Sequence, residues 1–234
     1  GTITDSQGAA LAGATVTLRN VDTGTERTET ADSGGRYAIP SVPVGTYTLR
    51  VQKEGFATQE RTGIVLTVGQ SAKADVALAV GEVQQEVTVQ AVPEAVNLST
   101  QEVSGLVNEQ EVKELPLNGR SFDELMLLNP ATVNYTGERS GGTGTSNSSV
   151  GNMFVVSGHR PQDNLFLLNG IEYTGASLIN ITPGGASGQL LGVDAVREFN
   201  VVSDAYGAEY GKRTGAQVSI VTASGTNQVH GAAY

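Results

Sequence analysis

Short runs in which apolar and polar side chains alternate recur along this chain, each soon interrupted by a Gly-containing turn. In GATVTLRN, Ala14, Val16 and Leu18 share one face while Thr15, Thr17 and Arg19 share the other, the period-2 pattern of a half-buried strand. GTYTLRV repeats it, with Tyr47, Leu49 and Val51 inward and Thr48 and Arg50 outward. So do Ile64, Leu66 and Val68, and then Ala74, Val76 and Leu78. Between them stand the turn signals DSQG, DTGT, DSGG, PVG and KEG, spaced closely enough to require antiparallel connections. The first 80 residues therefore read as a β-sandwich.

Composition agrees with a mostly β protein with minor α. The 234 residues have room for two ordinary domains, and 38% hydrophobic residues suffice for a core in each. Gly 30 beside only 16% charged residues suits short strands and tight turns better than packed helices. A net charge of -10, with no Lys/Arg cluster, argues against nucleic acid as a partner. Cys 0 removes disulfides, zinc–thiolate sites and a cysteine nucleophile. No apolar run approaches the roughly 18 to 20 residues of a membrane-spanning helix. The opening GTITD reads as the inside of a strand, with no basic-then-apolar leader, which suggests a processed or truncated chain.

Residues 81–114 read as a linker. Strand formers and acids occur there without a closing turn, Pro93 interrupts any continuing strand, Ser99 or Thr100 offers a helix cap, and a short helix is expected around Glu109–Glu114. Beyond it, SFDELMLLNP places Phe122, Leu125 and Leu128 at helical spacing, with Ser121 as cap and Pro130 as stop. NLFLLNGIEY flanks Asn169-Gly170 with apolar runs, the signal of a buried hairpin whose two turn residues accept positive φ. AVREFNVVSD sets Val196, Glu198, Asn200 and Val202 against Arg197, Phe199 and Val201, a strand with two different faces, and AQVSIVTASG is a further strand. The sum is an α+β domain with a small mixed sheet.

Two resemblances attach to these residues. GTITDSQGAALAGATVTL and DSGGRYAIPSVPVGTYTLRVQKEGF resemble the carboxypeptidase regulatory-like, transthyretin-like domain, which implies a seven-stranded sandwich without catalytic machinery. ELPLNGRSFDELMLLNPATV, VVSGHRPQDNLFLLNGIEYTG and GVDAVREFNVVSDAYGAEYGKRTGAQVSIVTASGTNQVHGAAY resemble, in order, the plug of the Oar-like TonB-dependent outer-membrane receptors. Those receptors usually carry Asp-Gly where this chain has Asn169-Gly170, and Pro-Gly-Val where it has Pro130, Ala131 and Thr132; both changes preserve a turn. The resemblance implies a sandwich over 1–80, the linker over 81–114, a plug over 115–229 and the start of a first barrel strand over 230–234. It also implies a place at the bacterial outer membrane, facing the periplasm.

Partners and site residues follow from that likeness. Glu86, Val87, Thr88, Val89, Gln90 and Ala91 are similar to a TonB box, the segment through which an energy-coupling protein of the TonB type pulls such receptors; strand addition is its physical basis. An equally good reading makes Val83, Val87 and Val89 the last edge strand of the sandwich. Arg120, Arg160, Arg197 and Arg213 each fall in a plug-like block and are candidates for ionic contacts with the C-terminal β-barrel of the same receptor. The Gly/Ser-rich 136–152 and 175–189 correspond in position to plug loops that meet an unknown ligand, through Glu138, Arg139, Asn147, Asn152 and Asn180, or else are plain surface loops.

No cofactor, metal or enzymatic role is expected. A His-x-x-Glu pair is missing, His159 and His230 lack i+3 or i+4 partners, and Asp22 and Asp32 suit turns better than calcium. Around Gly207 to Lys212 the spacing fails as a phosphate loop, and Ser187 lacks a nucleophile elbow. The expected function is a gate for energy-coupled uptake. The alternative is a barrel-less structural or assembly subunit of the envelope or of an extracellular filament, completing sheet edges with neighbours.

Overall fold

The computed structural model describes residues 1–81, 86–90, 103–117, 121–136, 152–173, 192–204, 207, 210–227 and 229. The chain divides into two compact units, one built on Gly1–Asn97 and the other on Leu98–Ser224. The expectations for Ala91, Arg120, Glu138, Arg139, Asn147, Asn180 and the barrel strand at 230–234 lie outside the described residues.

The first unit is a sandwich. Strands β2 (Thr15–Asn20), β3 (Glu26–Thr30), β4 (Gly45–Gln52), β5 (Thr58–Leu66) and β7 (Glu86–Gln90) form a sheet in the order β3-β2-β4-β5-β7. A two-stranded parallel sheet is made by β1 (Ile3–Asp5) and β6 (Val76–Leu78). Alternation explains the core: Val16 opposes Val51 and Leu18 opposes Leu49 across the β2–β4 ladder, and these side chains bury with Ile3, Tyr47, Val76 and Leu78. Two strand ends differ from the sequence reading, since β5 stops at Leu66, before Val68, and β6 starts only at Val76, after Ala74.

The turns are built by their carboxylates and glycines. The Asp32 carboxylate accepts the N–H groups of Gly34 and Arg36, each at 2.8 Å, so it serves the turn directly. Gly35 has φ of 71°, and a Cβ there would lie 2.4 Å from the Ile3 carbonyl oxygen, so no side chain fits.

The second unit holds a five-stranded mixed sheet in the order β12-β11-β14-β13-β8. Its strands are β8 (Val103–Val107), β11 (Leu165–Leu168), β12 (Ile171–Glu172), β13 (Val196–Asp204) and β14 (Gln217–Thr222), while β9 (Thr132–Asn134) and β10 (Phe154–Val156) pair separately. Only β11–β14 is parallel within the five-stranded sheet. Phe199 on β13 meets Phe122 edge-on, with ring centroids 5.9 Å apart, among Val107, Val112, Leu125, Met126, Phe166 and Val218.

Several local expectations are corrected here. The helix α1 (Glu109–Glu114) is capped by Asn108 rather than by Ser99 or Thr100, because Asn108 and Glu111 form a reciprocal capping box. Residues 103–107, read as linker, form β8 by pairing with β13. Phe122–Leu128 is a 3-10 helix in which Phe122, Leu125 and Met126 are buried but Leu128 is 58% exposed, and Ser121 makes no side-chain cap to its backbone. The β11–β12 hairpin is buried only through β11, since Ile171 is 74% exposed. On β13 both faces are buried and they differ: Phe199 and Val201 join the apolar core, while the other face carries the buried polar Glu198 and Asn200.

Asn164 joins separate parts of this unit. Wholly buried, it donates Nδ2–H to the Phe154 carbonyl at 2.8 Å and accepts the Ala216 N–H through Oδ1 at 3.0 Å. Truncation leaves a buried carbonyl and a buried N–H without partners, so Asn164→Ala is expected to lower the unfolding free energy by about 2–4 kcal/mol, measured by urea denaturation.

Candidate functional site

Four features of the described residues bear on function. The first is β7. Its residues Glu86–Gln90 pair in parallel with Thr58–Thr62, from Thr58 opposite Glu86 to Thr62 opposite Gln90, and end the sheet order. The candidate coupling segment, as far as Gln90, therefore sits as an edge strand of the sandwich. That is the edge-strand reading for Val87 and Val89, while Val83 lies outside the described residues.

The arginines do not form one cluster. Arg160 precedes the short 3-10 turn Pro161–Asp163, and its own N–H is accepted by the Asp163 carboxylate at 3.2 Å. Arg213 donates through Nη1 to the Gln162 carbonyl of that same turn. The structure thus brings these two to one turn, with Arg213 spending a donor on internal backbone. Arg197 stands apart on β13, half-buried. Asn169 and Gly170 turn between β11 and β12 with φ of 50° and 81°. Asn169 also fixes the end of β14, its Oδ1 accepting the Thr222 N–H at 3.0 Å.

Beside Arg160 lies an open cavity of about 420 Å³ lined by Tyr135, Met153, Val155, His159, Arg160 and Gln162. Tyr135 and Met153 lie near the two ends of the first loop segment and are joined by a backbone hydrogen bond of 2.8 Å. The cavity's lining includes a guanidinium, an imidazole and a phenol beside the apolar Met153 and Val155, groups suited to a polar or anionic ligand. Among the described residues no three His, Asp or Glu side chains group as they would to hold a metal ion.

The fourth feature went unmarked in the sequence. Asp123 is fully buried, and its carboxylate accepts the Ser121 hydroxyl and, at 3.2 Å, the Asn152 amide. Asn152, the one ligand-loop candidate among the described residues, thus turns its amide toward the interior. Ser121 also bridges to Gly192 through the backbone. Burial is the main cause that pushes the Asp123 carboxyl above its ordinary value, against the hydrogen bonds from Ser121, Asn152 and its own backbone N–H that lower it. Burial, with Asp123 second, also raises the Tyr173 phenol. The junction thus gathers the described roots of both loop segments: Asn152 for the first, Tyr173 and Gly192 for the second. One donor to this carboxylate, Ser121, is two residues away, but the other, Asn152, is 29 residues away in sequence, and the burial follows from the fold.

Residues 1–79 match the carboxypeptidase regulatory-like domain. Over its whole length the chain aligns at 26% identity with the TonB-dependent transporter Oar of Myxococcus xanthus, covering 21% of that protein. It therefore spans about a fifth of this curated relative's length. Among solved structures, the siderophore receptor PirA of Acinetobacter baumannii matches 54% of the chain and 18% of its own at 18% identity and TM-score 0.37. The outer membrane transporter YddB of Escherichia coli matches 52% and 17%, at 18% identity and TM-score 0.38. The domain match and the full-length alignment support an N-terminal part of a TonB-dependent receptor.

The Asp123 junction gives a signed prediction. A folded-state value above the ordinary one means that the folded form holds the proton more firmly than the unfolded chain does. Stability from this group is therefore greatest at low pH and declines as pH rises from the ordinary carboxylate range through the raised value. Asp123→Asn keeps the shape and can donate to Ser121 while accepting from Asn152. Its stability relative to the parent chain, read from urea midpoints, is expected to improve between about pH 4 and about pH 7.

Proposed function

We propose that this chain is the periplasmic extension and plug of a TonB-dependent outer-membrane transporter, gating energy-coupled uptake of a ligand. The observation that carries this reading is that one alignment to a transporter runs through both units. A sandwich alone would fit many accessory modules; a sandwich followed by this mixed-sheet unit, aligned as a whole, favours the receptor.

In this reading the sandwich covers 1–80. The connection 81–114 contributes β7 to the sandwich and β8 and α1 to the second unit. The plug covers 115–229, and 230–234 begins the first barrel strand. The extension faces the periplasm, where Glu86–Ala91 meets the energy-coupling protein. Arg120, Arg160, Arg197 and Arg213 make remakeable ionic contacts with barrel carboxylates. Ligand meets the plug through Glu138, Arg139, Asn147, Asn152 and Asn180, with the cavity beside Arg160 close to the first loop. No step requires bond making by this chain, and the role is mechanical rather than enzymatic.

Two measurements test separate parts of it. A peptide spanning Glu86–Ala91 is expected to shift resonances of the periplasmic domain of a TonB-type protein in an NMR titration; no shift would remove the coupling assignment. In the full receptor, Arg160→Glu together with Arg197→Glu is expected to increase entry of a large antibiotic that the outer membrane excludes. Unchanged entry would sink the arginine contacts while leaving the coupling segment standing.

A further inference from the structure

The two layers of the first unit are unequal, since a five-stranded sheet shares its core with the pair β1 and β6. Two strands cannot cover five, and Leu18, Leu49, Ile64 and Leu66 line a cavity of about 500 Å³ together with Ile39 and Val42. That volume suits a small molecule rather than a few waters. Two polar side chains of its wall are already engaged. The Tyr37 hydroxyl donates to the Ala74 carbonyl at 2.7 Å, and Gln70 Oε1 accepts both the N–H and the hydroxyl of Thr67. Among the described residues no charged side chain lines the cavity, so it suits an occupant with an apolar body.

A charged group lies just beyond this wall, and a bulge puts it there. Ile64 opposes Tyr47 on β4, so it shares the inner face with that buried side chain. Regular alternation along β5 would bring Thr62 and Glu60 to the same face. Instead the register shifts between Tyr47 and Leu49, Gly63 stands at φ of 76°, and Arg61 comes opposite the buried Leu49. The arginine is thus turned inward, and its Nε is buried with no hydrogen-bond partner. Burial, and after it Asp75, push the Tyr37 phenol up to about 12, while the Arg61 charge acts the other way. The guanidinium is therefore within electrostatic reach of a side chain that lines the cavity.

We propose that the sandwich binds an acyl carboxylate, with its chain in this cavity and its carboxylate on the Arg61 guanidinium. A buried N–H without an acceptor costs stability, and a carboxylate supplies that acceptor in a charge-assisted hydrogen bond. Asp75 does not serve, because Lys73 holds it at 2.8 Å and Thr2 donates to it through both N–H and hydroxyl. The site uses the first unit alone and is independent of the transporter reading. A chain confined to an apolar cavity has a signature. Each methylene that enters tightens binding about fourfold, and the gain ends when the cavity is full.

The experiment titrates the whole chain with hexanoate, octanoate and decanoate near neutral pH by calorimetry, with octanol as the uncharged counterpart of octanoate. Saturable binding of octanoate is expected, about tenfold or more tighter than that of hexanoate. Octanoate is also expected to bind about tenfold more tightly than octanol. Arg61→Met keeps an apolar stem and removes the charge, so it is expected to abolish the preference for octanoate while leaving octanol within about twofold of the parent chain. Four results each overturn the proposal: no saturable binding of octanoate, equal affinity for the three acids, no preference for octanoate over octanol in the parent chain, or a preference that survives Arg61→Met. NMR locates the ligand without any variant. Methyl shifts on adding octanoate are expected to centre on Leu18, Ile39, Val42 and Leu66, and shifts centred elsewhere overturn the proposal as well.

Discussion

The parallel pairing of Thr58–Thr62 with Glu86–Gln90 is the contact on which the functional account turns. Without it, Glu86–Gln90 would be an unstructured connector whose capture must overcome the cost of ordering it. With it, the segment is a strand paired on one side, with no described strand on the other. Edge strands are hazards in most proteins because they recruit unintended neighbours. Of the two edges of the five-stranded sheet, β7 carries one charge in five residues and β3 carries three.

The second unit depends on a different constraint. Strand β13 lies between β14 and β8 and buries both faces, so polar residues on it and around it must be satisfied internally. Asn164 and Asp123 show two ways of doing so. Asn164 supplies both a donor and an acceptor to backbone groups and acts as a fixed joint. Asp123 accepts two neutral donors while burial disfavours its charge, a costlier arrangement at the described roots of both loop segments.

Much of the architecture could be read in the residues because it rests on local alternation. Val16, Leu18, Leu49 and Val51 announce their faces within a single strand, and the structure pairs them across the ladder. Where the outcome depended on distant partners, local pattern failed. VSGLV becomes β8 only because β13 is beside it. Ile171 looks like core yet ends on an exposed edge strand. The spacing of Phe122, Leu125 and Leu128 suits an α-helix, but the backbone winds more tightly and leaves Leu128 outside. Asn108 with Glu111 was present in the sequence as a capping pair and gives the true start of α1. Of the candidate site, the strand at Glu86–Gln90 and the turn at Asn169-Gly170 were visible as strand and turn chemistry. Asp123 and Asn164 were not, because their burial and one partner of each, Asn152 and Ala216, come from segments remote in sequence.

The most direct measurement is in-cell disulfide trapping between single cysteines at residues 84–92 of the intact receptor and cysteines in the pulling segment of its TonB-type partner. The account predicts cross-linking concentrated at Glu86–Gln90 and alternating with a two-residue period, the mark of a strand added beside a strand. Uniform cross-linking along the segment, or cross-linking at β3 positions instead, would contradict it.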